Sequence, residues 1–139
     1  MIAIASYTDA DFAGVERLWG QAFADDAPRN TAALAIPQKL AYQPELFLVA
    51  SDQGAVVGSL MAGYDGHRGW ISRVAVSVSH RRQGVARAMM VEIERRLAAL
   101  GCPKVNLQVN TANAVVVPFY QRLGYAVEPR ISMGKLLAG

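Results

Sequence analysis

The stretch 74–100 constrains this chain more than any other, because it joins a strand to a helix through a basic turn containing glycine. Val74, Val76 and Val78 alternate at period two, as a half-buried strand requires. Val85, Met89, Ile93 and Leu97 recur one helical turn apart, which predicts a helix from about residue 84 to 100. Between them stands His80-Arg81-Arg82-Gln83-Gly84. The first N–H groups of a helix have no internal partners, and the helix dipole is positive at that end. Gly84 lets a ligand approach the backbone, while His80, Arg81, Arg82 and Arg87 sit together there as a local basic cluster. The segment predicts a phosphate cradle for a polyanionic small ligand.

The 139 residues suit one domain, residues 1–139, with a real hydrophobic core, and 53% hydrophobic against 18% charged residues excludes a disordered chain. A net charge of +3 is too mild to call for nucleic acid. No apolar run approaches bilayer-spanning length, and the start, Met-Ile-Ala-Ile-Ala-Ser, lacks the basic and long apolar parts of a signal peptide. Cys102 is the single cysteine, so no internal disulfide forms, and its place at a helix-to-strand junction reads as packing. A cytoplasmic protein without membrane or nucleic-acid partners is the expectation.

Residues 2–6 read as a first strand. Thr8, followed by Asp9 and Asp11, caps a helix that runs to about Phe23. Thr31 caps a second helix through Leu40, which Pro37 should kink or split. Strands at 46–50, 55–64 and from Trp70 onward form an antiparallel meander, since their connections are short. Gly101 and Pro103 stop the cradle helix, and a strand at 104–110 makes a parallel pair across it. Residues 113–123 form a short helix with an irregular start forced by Pro118, closed by Gly124. Residues 125–127 and 131–137 read as a terminal strand pair.

Arg81-x-x-Gly84-Val85-Ala86 after Val76-x-Val78 resembles the acetyl-CoA-binding motif of the GNAT N-acetyltransferases. Asn113, Tyr120 and Gly124-Tyr125 resemble that family's second signature, and 64–69 resembles the small YpeA-like bacterial members. The resemblance covers essentially the whole chain. It implies an α/β (α+β) fold: a central mixed, mostly antiparallel twisted sheet flanked by about four helices. It implies acetyl-CoA as cosubstrate, no metal, and transfer of the acetyl group to an amine by direct attack. Arg81, Arg82, Gln83, Gly84, Val85, Ala86 and Arg87 would hold the pyrophosphate, and the backbone of Val76 and Val78 the pantetheine arm. Asn113 would either cap its helix or touch the cofactor.

Tyr120 is the candidate general acid: a phenol with a pKa of about 10 stays protonated at neutral pH and can protonate a departing thiolate. The base is open. The resemblance places a glutamate on the strand before the cradle, where this chain has Ser72 and Arg73, or on the following strand, where it has Gln108. His67 has a suitable intrinsic pKa and Asp65 is near it, although both belong to a turn-rich hairpin. Glu128, Glu45 and solvent are the remaining routes. The alternative function is a non-catalytic acyl-CoA-binding or sensing domain that kept the cradle and lost the base. The acceptor is not readable, and the resemblance leaves a homodimer open.

Overall fold

A computed structural model describes residues 1–137. Five strands form one mixed sheet in the order β1 (Ile2–Ser6), β2 (Phe47–Asp52), β3 (Ala55–Tyr64), β4 (Gly69–Val76) and β5 (Val105–Leu107). The first four run antiparallel to their neighbours, and β5 is parallel to β4. The helices are α1 (Phe12–Ala22), α2 (Ala32–Leu40), α3 (Val85–Ala99) and α4 (Val117–Arg122). The described chain forms two compact units that divide after Gln108. Among the described residues no helix is long and apolar enough to cross a membrane.

In the first unit each face of the sheet buries one set of helical residues. Val15, Leu18 and Trp19 of α1 and Ala32 and Ile36 of α2 pack with Tyr7, Phe47, Val49, Met61 and Ala75. Tyr7 stacks on Phe47 with ring centroids 4.7 Å apart. Helix α3 turns Val85, Met89, Met90, Ile93 and Leu97 inward, all buried, at the spacing the sequence predicts. Each such side chain contributes roughly 1.5–3 kcal/mol by leaving water. Gly58 of β3 lies directly beneath α3: a Cβ there would stand 3.0 Å from Met89 Cε and 3.1 Å from Val85 Cγ1. Arg96 bonds Ser6 Oγ and the Glu45 carbonyl, both at 2.7 Å, and so ties α3 to the first strand.

The expected elements are present with four corrections. Helix α2 continues through Pro37. It is anchored by buried Ala32 and Ile36 and by Lys39 Nζ, which donates to the Ala62 carbonyl. The single backbone bond that proline removes is outweighed by this tertiary anchoring. Strand β4 ends at Val76, and Val78 stands 71% exposed in a 3-10 turn, Val78–His80. Strand β5 spans only Val105–Leu107. Residues 125–137 carry no strand: Val127, Ile131 and Met133 are exposed, so this stretch buries no apolar face that would hold a ladder.

The second unit begins with a 3-10 turn, Thr111–Val116, capped by Asn110, whose Oδ1 accepts the Ala112 N–H at 2.9 Å. The capping role thus belongs to Asn110, and Asn113 sits inside the turn with non-helical dihedrals. Regular helix starts only at Val117, with Pro118 in the first turn, where its missing N–H has no intrahelical partner to lose.

Candidate active site

The cradle turn is built from two left-handed residues. Arg82 has φ +63° and Gly84 φ +79°. A Cβ at Gly84 would meet nothing within 4 Å, so glycine is required there by conformation and not by space. The first helical bond of α3 runs from the Ala88 N–H to the Gly84 carbonyl at 3.0 Å. The N–H groups of Val85, Ala86 and Arg87 therefore precede the intrahelical ladder and stand free to receive an anion. Gln83 Nε2 donates back to the Ser79 carbonyl at 3.2 Å, which tightens the turn. Gly84, Arg87 and Ala88 also line a shallow, open depression with Ile4, Val91 and Glu92.

Strand β4 supplies the second element. Its ladder with β5 covers only Gly69, Trp70 and Ile71, opposite Val105–Leu107. From Ser72 to Val76 the strand pairs with β3 on one side, and among the described residues no strand pairs with it on the other. This open edge leads straight to the cradle and is suited to an extended ligand that adds a strand's hydrogen bonds.

The same stretch carries a β-bulge, in which β3 advances from Ser59 to Met61 while β4 advances from Ala75 to Ser72. Arg73 sits in the bulge at φ +53°. The extra residue switches the sides of the strand. Gly69 faces α3, where a Cβ would stand 3.3 Å from Leu97 Cδ1, whereas Ala75 packs in the cluster around Trp19. Buried Ser59 holds the bulge: its Oγ accepts the Trp19 indole N–H at 2.8 Å and donates to the Arg73 carbonyl at 3.1 Å. The Arg73 guanidinium lies 4.4 Å from the Phe23 ring centroid and 5.4 Å from that of Trp19, and pairs with Asp26 at 2.5 Å. Asp26 Oδ1 in turn accepts from Asn30 Nδ2 at 2.8 Å and the Ala27 N–H at 2.7 Å. The Asn30 bond first, and then Arg73 and the backbone, hold this carboxyl below its ordinary pKa against the opposing effect of burial. Glu16, Trp19, Phe23, Asp26, Asn30 and Thr31 border a cavity of about 280 Å3.

Arg81, Arg82, Gln83, Gly84, Val85, Ala86 and Arg87 are thus brought together, with Val76 at the open edge. Val78 lies past the strand, in the 3-10 turn. His67 is not brought to them. It sits in the β3–β4 turn, where its N–H and that of Arg68 donate to Asp65 Oδ1 at 2.8 and 2.7 Å. At a rise of about 3.3 Å per residue, the length of β4 separates that turn from the cradle by roughly 20 Å. The Arg68 and His67 bonds, in that order, lower the Asp65 pKa, so the aspartate is engaged in building the turn.

In the second unit Tyr120 is flanked edge-on by Phe119 at 5.0 Å and Tyr125 at 6.1 Å between ring centroids. Burial raises the phenol pKa above its ordinary value. Gly124, at φ +99°, ends the helix and lets the Tyr125 N–H reach the Tyr120 carbonyl at 3.1 Å.

Sequence reasoning missed the Ser59–Trp19–Arg73–Asp26 network. Its one signal was Ser59, a serine inside the otherwise apolar run 55–63 of β3. Among the described residues no group of three or more His, Cys, Asp or Glu side chains is placed to hold a metal ion.

The Acetyltransferase (GNAT) family model matches residues 12–125. The chain belongs to the GNAT acetyltransferase family. An acetyltransferase of Yersinia enterocolitica is 40% identical over 136 residues, covering 96% of this chain and 94% of its own. One from Pectobacterium atrosepticum is 39% identical over the same shares. Among solved structures, Ard1 from Thermoplasma volcanium superposes with a TM-score of 0.81 at 27% identity, over 91% of this chain and 84% of that one. The aminoglycoside N-acetyltransferase AAC(6')-Iy in complex with CoA gives 0.79 at 17% identity, over 99% and 96%, a likeness of fold alone. As a GNAT protein the chain is an acyltransferase that transfers acetyl groups from acetyl-CoA.

Proposed function

We propose that this protein, acting as one domain, moves the acetyl group of acetyl-CoA to an amine acceptor by direct attack, with Tyr120 as general acid. The observation that carries the reading is the cradle itself. Two left-handed bends present the free N–H groups of Val85, Ala86 and Arg87 beside Arg81 and Arg82, at the end of an open strand edge. That arrangement fits a pyrophosphate joined to an extended amide-bearing arm. Acetyl-CoA supplies the activated thioester. The residues 72–76 align its arm, and a backbone N–H near Val76 stabilises the oxygen that gains charge during attack.

The acceptor attacks as a neutral amine, forming the N–C bond at the thioester carbonyl. The C–S bond then breaks, and the departing sulfur takes the Tyr120 proton. The amine's surplus proton leaves to solvent, from which Tyr120 is reprotonated. No side-chain base is required by this balance, consistent with Ser72, Arg73 and Gln108 at the positions where the family resemblance places a glutamate. Arg73 is committed to Asp26, and His67 lies at the far end of β4.

Two measurements test the reading. Acetyl-CoA at a hundredfold excess over its Kd should stabilise the fold by about 2.7 kcal/mol, read as a rise in Tm. Thiol release across small amines, polyamines and peptides should find an acceptor, and Tyr120→Phe should cut kcat by at least about a hundredfold with little change in acetyl-CoA affinity. A Tm rise without thiol release on any acceptor would favour the sensing domain, which the missing glutamates support. No Tm rise at millimolar acetyl-CoA would remove both.

A further inference from the structure

His80 stands immediately before the cradle, and both of its ring nitrogens are engaged by the protein itself. Its Nε2 lies 2.8 Å from Asp52 Oδ2, at the end of β2. A carboxylate only accepts, so the Nε2 atom carries a proton and donates. Its Nδ1 lies 2.8 Å from Ser79 Oγ and 3.2 Å from Ser77 Oγ, and the two hydroxyls are themselves 3.2 Å apart. The imidazole is only 20% exposed. Asp52 Oδ1 also receives the Met1 ammonium at 3.2 Å. The backbone closes the same knot: the His80 N–H donates to the Ser77 carbonyl at 3.0 Å, and the Ser77 N–H to the Val57 carbonyl at 2.8 Å.

This knot sits directly upstream of the strained part of the cradle. The four residues Arg81–Gly84 contain both left-handed bends, one of them at an arginine, where such a conformation carries strain. Downstream the turn is fixed by α3, whose Val85 and Met89 are buried against the sheet. Upstream, the side-chain tie to the sheet is the imidazole bridge from the 3-10 turn to Asp52. A strained turn held at both ends is already in its binding shape; held at one end, it must be ordered by its ligand, and affinity falls accordingly.

We propose that His80 is a positioning residue of the cradle: by bridging Asp52 to Ser77 and Ser79 it pre-orders Arg81–Gly84 for the pyrophosphate of acetyl-CoA. The inference rests on the functional reading above and adds a residue that acts through its neighbours.

The experiment pairs calorimetric titration of acetyl-CoA with amide hydrogen exchange of the ligand-free protein, on wild type, His80→Asn, His80→Gln and Asp52→Ala. Asparagine keeps a polar atom near the Nδ1 position but is too short to reach Asp52. Glutamine keeps an N–H at the Nε2 position. His80→Asn and Asp52→Ala should each weaken acetyl-CoA binding about five- to twentyfold and speed exchange across residues 81–84 by a similar factor. His80→Gln should restore both to within about threefold of wild type, and the double variant, His80→Asn with Asp52→Ala, should lose no more than either single change. A role confined to overall stability would lower Tm in all variants while speeding exchange at 81–84 by no more than it speeds exchange in α3. Wild-type affinity in His80→Asn, or unchanged exchange in the turn, overturns the inference alone. Failure of the wild type to bind acetyl-CoA overturns the functional reading, and exchange in the free protein still decides whether His80 orders the turn.

Discussion

Two arginines, nine residues apart, both adopt the left-handed conformation that arginine rarely takes, and they are treated in opposite ways. Arg73, in the β4 bulge, is surrounded by Asp26, Trp19, Phe23 and, through its carbonyl, Ser59. Arg82, in the cradle turn, is exposed, and among the described residues its guanidinium has no hydrogen bond or ion pair. Strain at Arg73 is offset by the protein's own contacts. Strain at Arg82 is not, and a non-glycine residue held there without such compensation points to a ligand. The difference separates a bend that the protein's own contacts support from one that they leave bare.

Arg73→Ala should break the comparison on the structural side most severely. It strips Asp26 of its ion pair and both rings of their cation, and should cost about 2–4 kcal/mol in urea denaturation, with acetyl-CoA affinity retained in the folded fraction. Arg82→Gly should do the reverse. Relief of the positive φ should raise stability by roughly 0.5–1 kcal/mol, while loss of charge and of pre-ordering should weaken acetyl-CoA binding about tenfold in titration. A stability loss on Arg82→Gly would mean that this arginine is structural after all.

The smallest effect concerns the outer face of α3. Glu92 is held at a pKa of about 2 by Arg95 and then Arg96. Its folded pKa is depressed, so its contribution is fully present above the unfolded value of about 4.3 and is lost as pH falls through 2. The pair is partly exposed, so Glu92→Gln should cost only about 0.5 kcal/mol at neutral pH. The gap between wild type and variant in chemical denaturation should close between about pH 4.5 and 2.

The same contrast explains what could be read in advance. The turn and helix at 84–97 were legible because Gly84 is the residue type that left-handed backbone selects, and because Val85, Met89, Ile93 and Leu97 keep helical spacing. The bulge was not. Val74, Val76 and Val78 alternate as though the strand were regular, and no glycine or asparagine marks the left-handed position at Arg73. Alternation alone would keep Gly69 and Ala75 on one side of the sheet; the inserted residue sends them to opposite sides, and only tertiary contacts decide that. Pro37 misled for a related reason, since packing overrode a local preference. At 125–127 and 131–137 the apolar residues suggested a strand pair, but Val127, Ile131 and Met133 stay exposed and bury no face that would hold one.

The closeness of Gly58 to α3 has a consequence for how such a protein changes over generations. The clearance above that residue is set by a hydrogen atom, and a methyl group would force Met89 and Val85 to give by a few tenths of an ångström. Val85 opens the helix whose free N–H groups form the cradle. Selection for tighter or looser grip on an anion therefore has a route that touches no exposed residue: a substitution under the sheet's surface, invisible from the ligand's side, can retune the whole end of the helix at once.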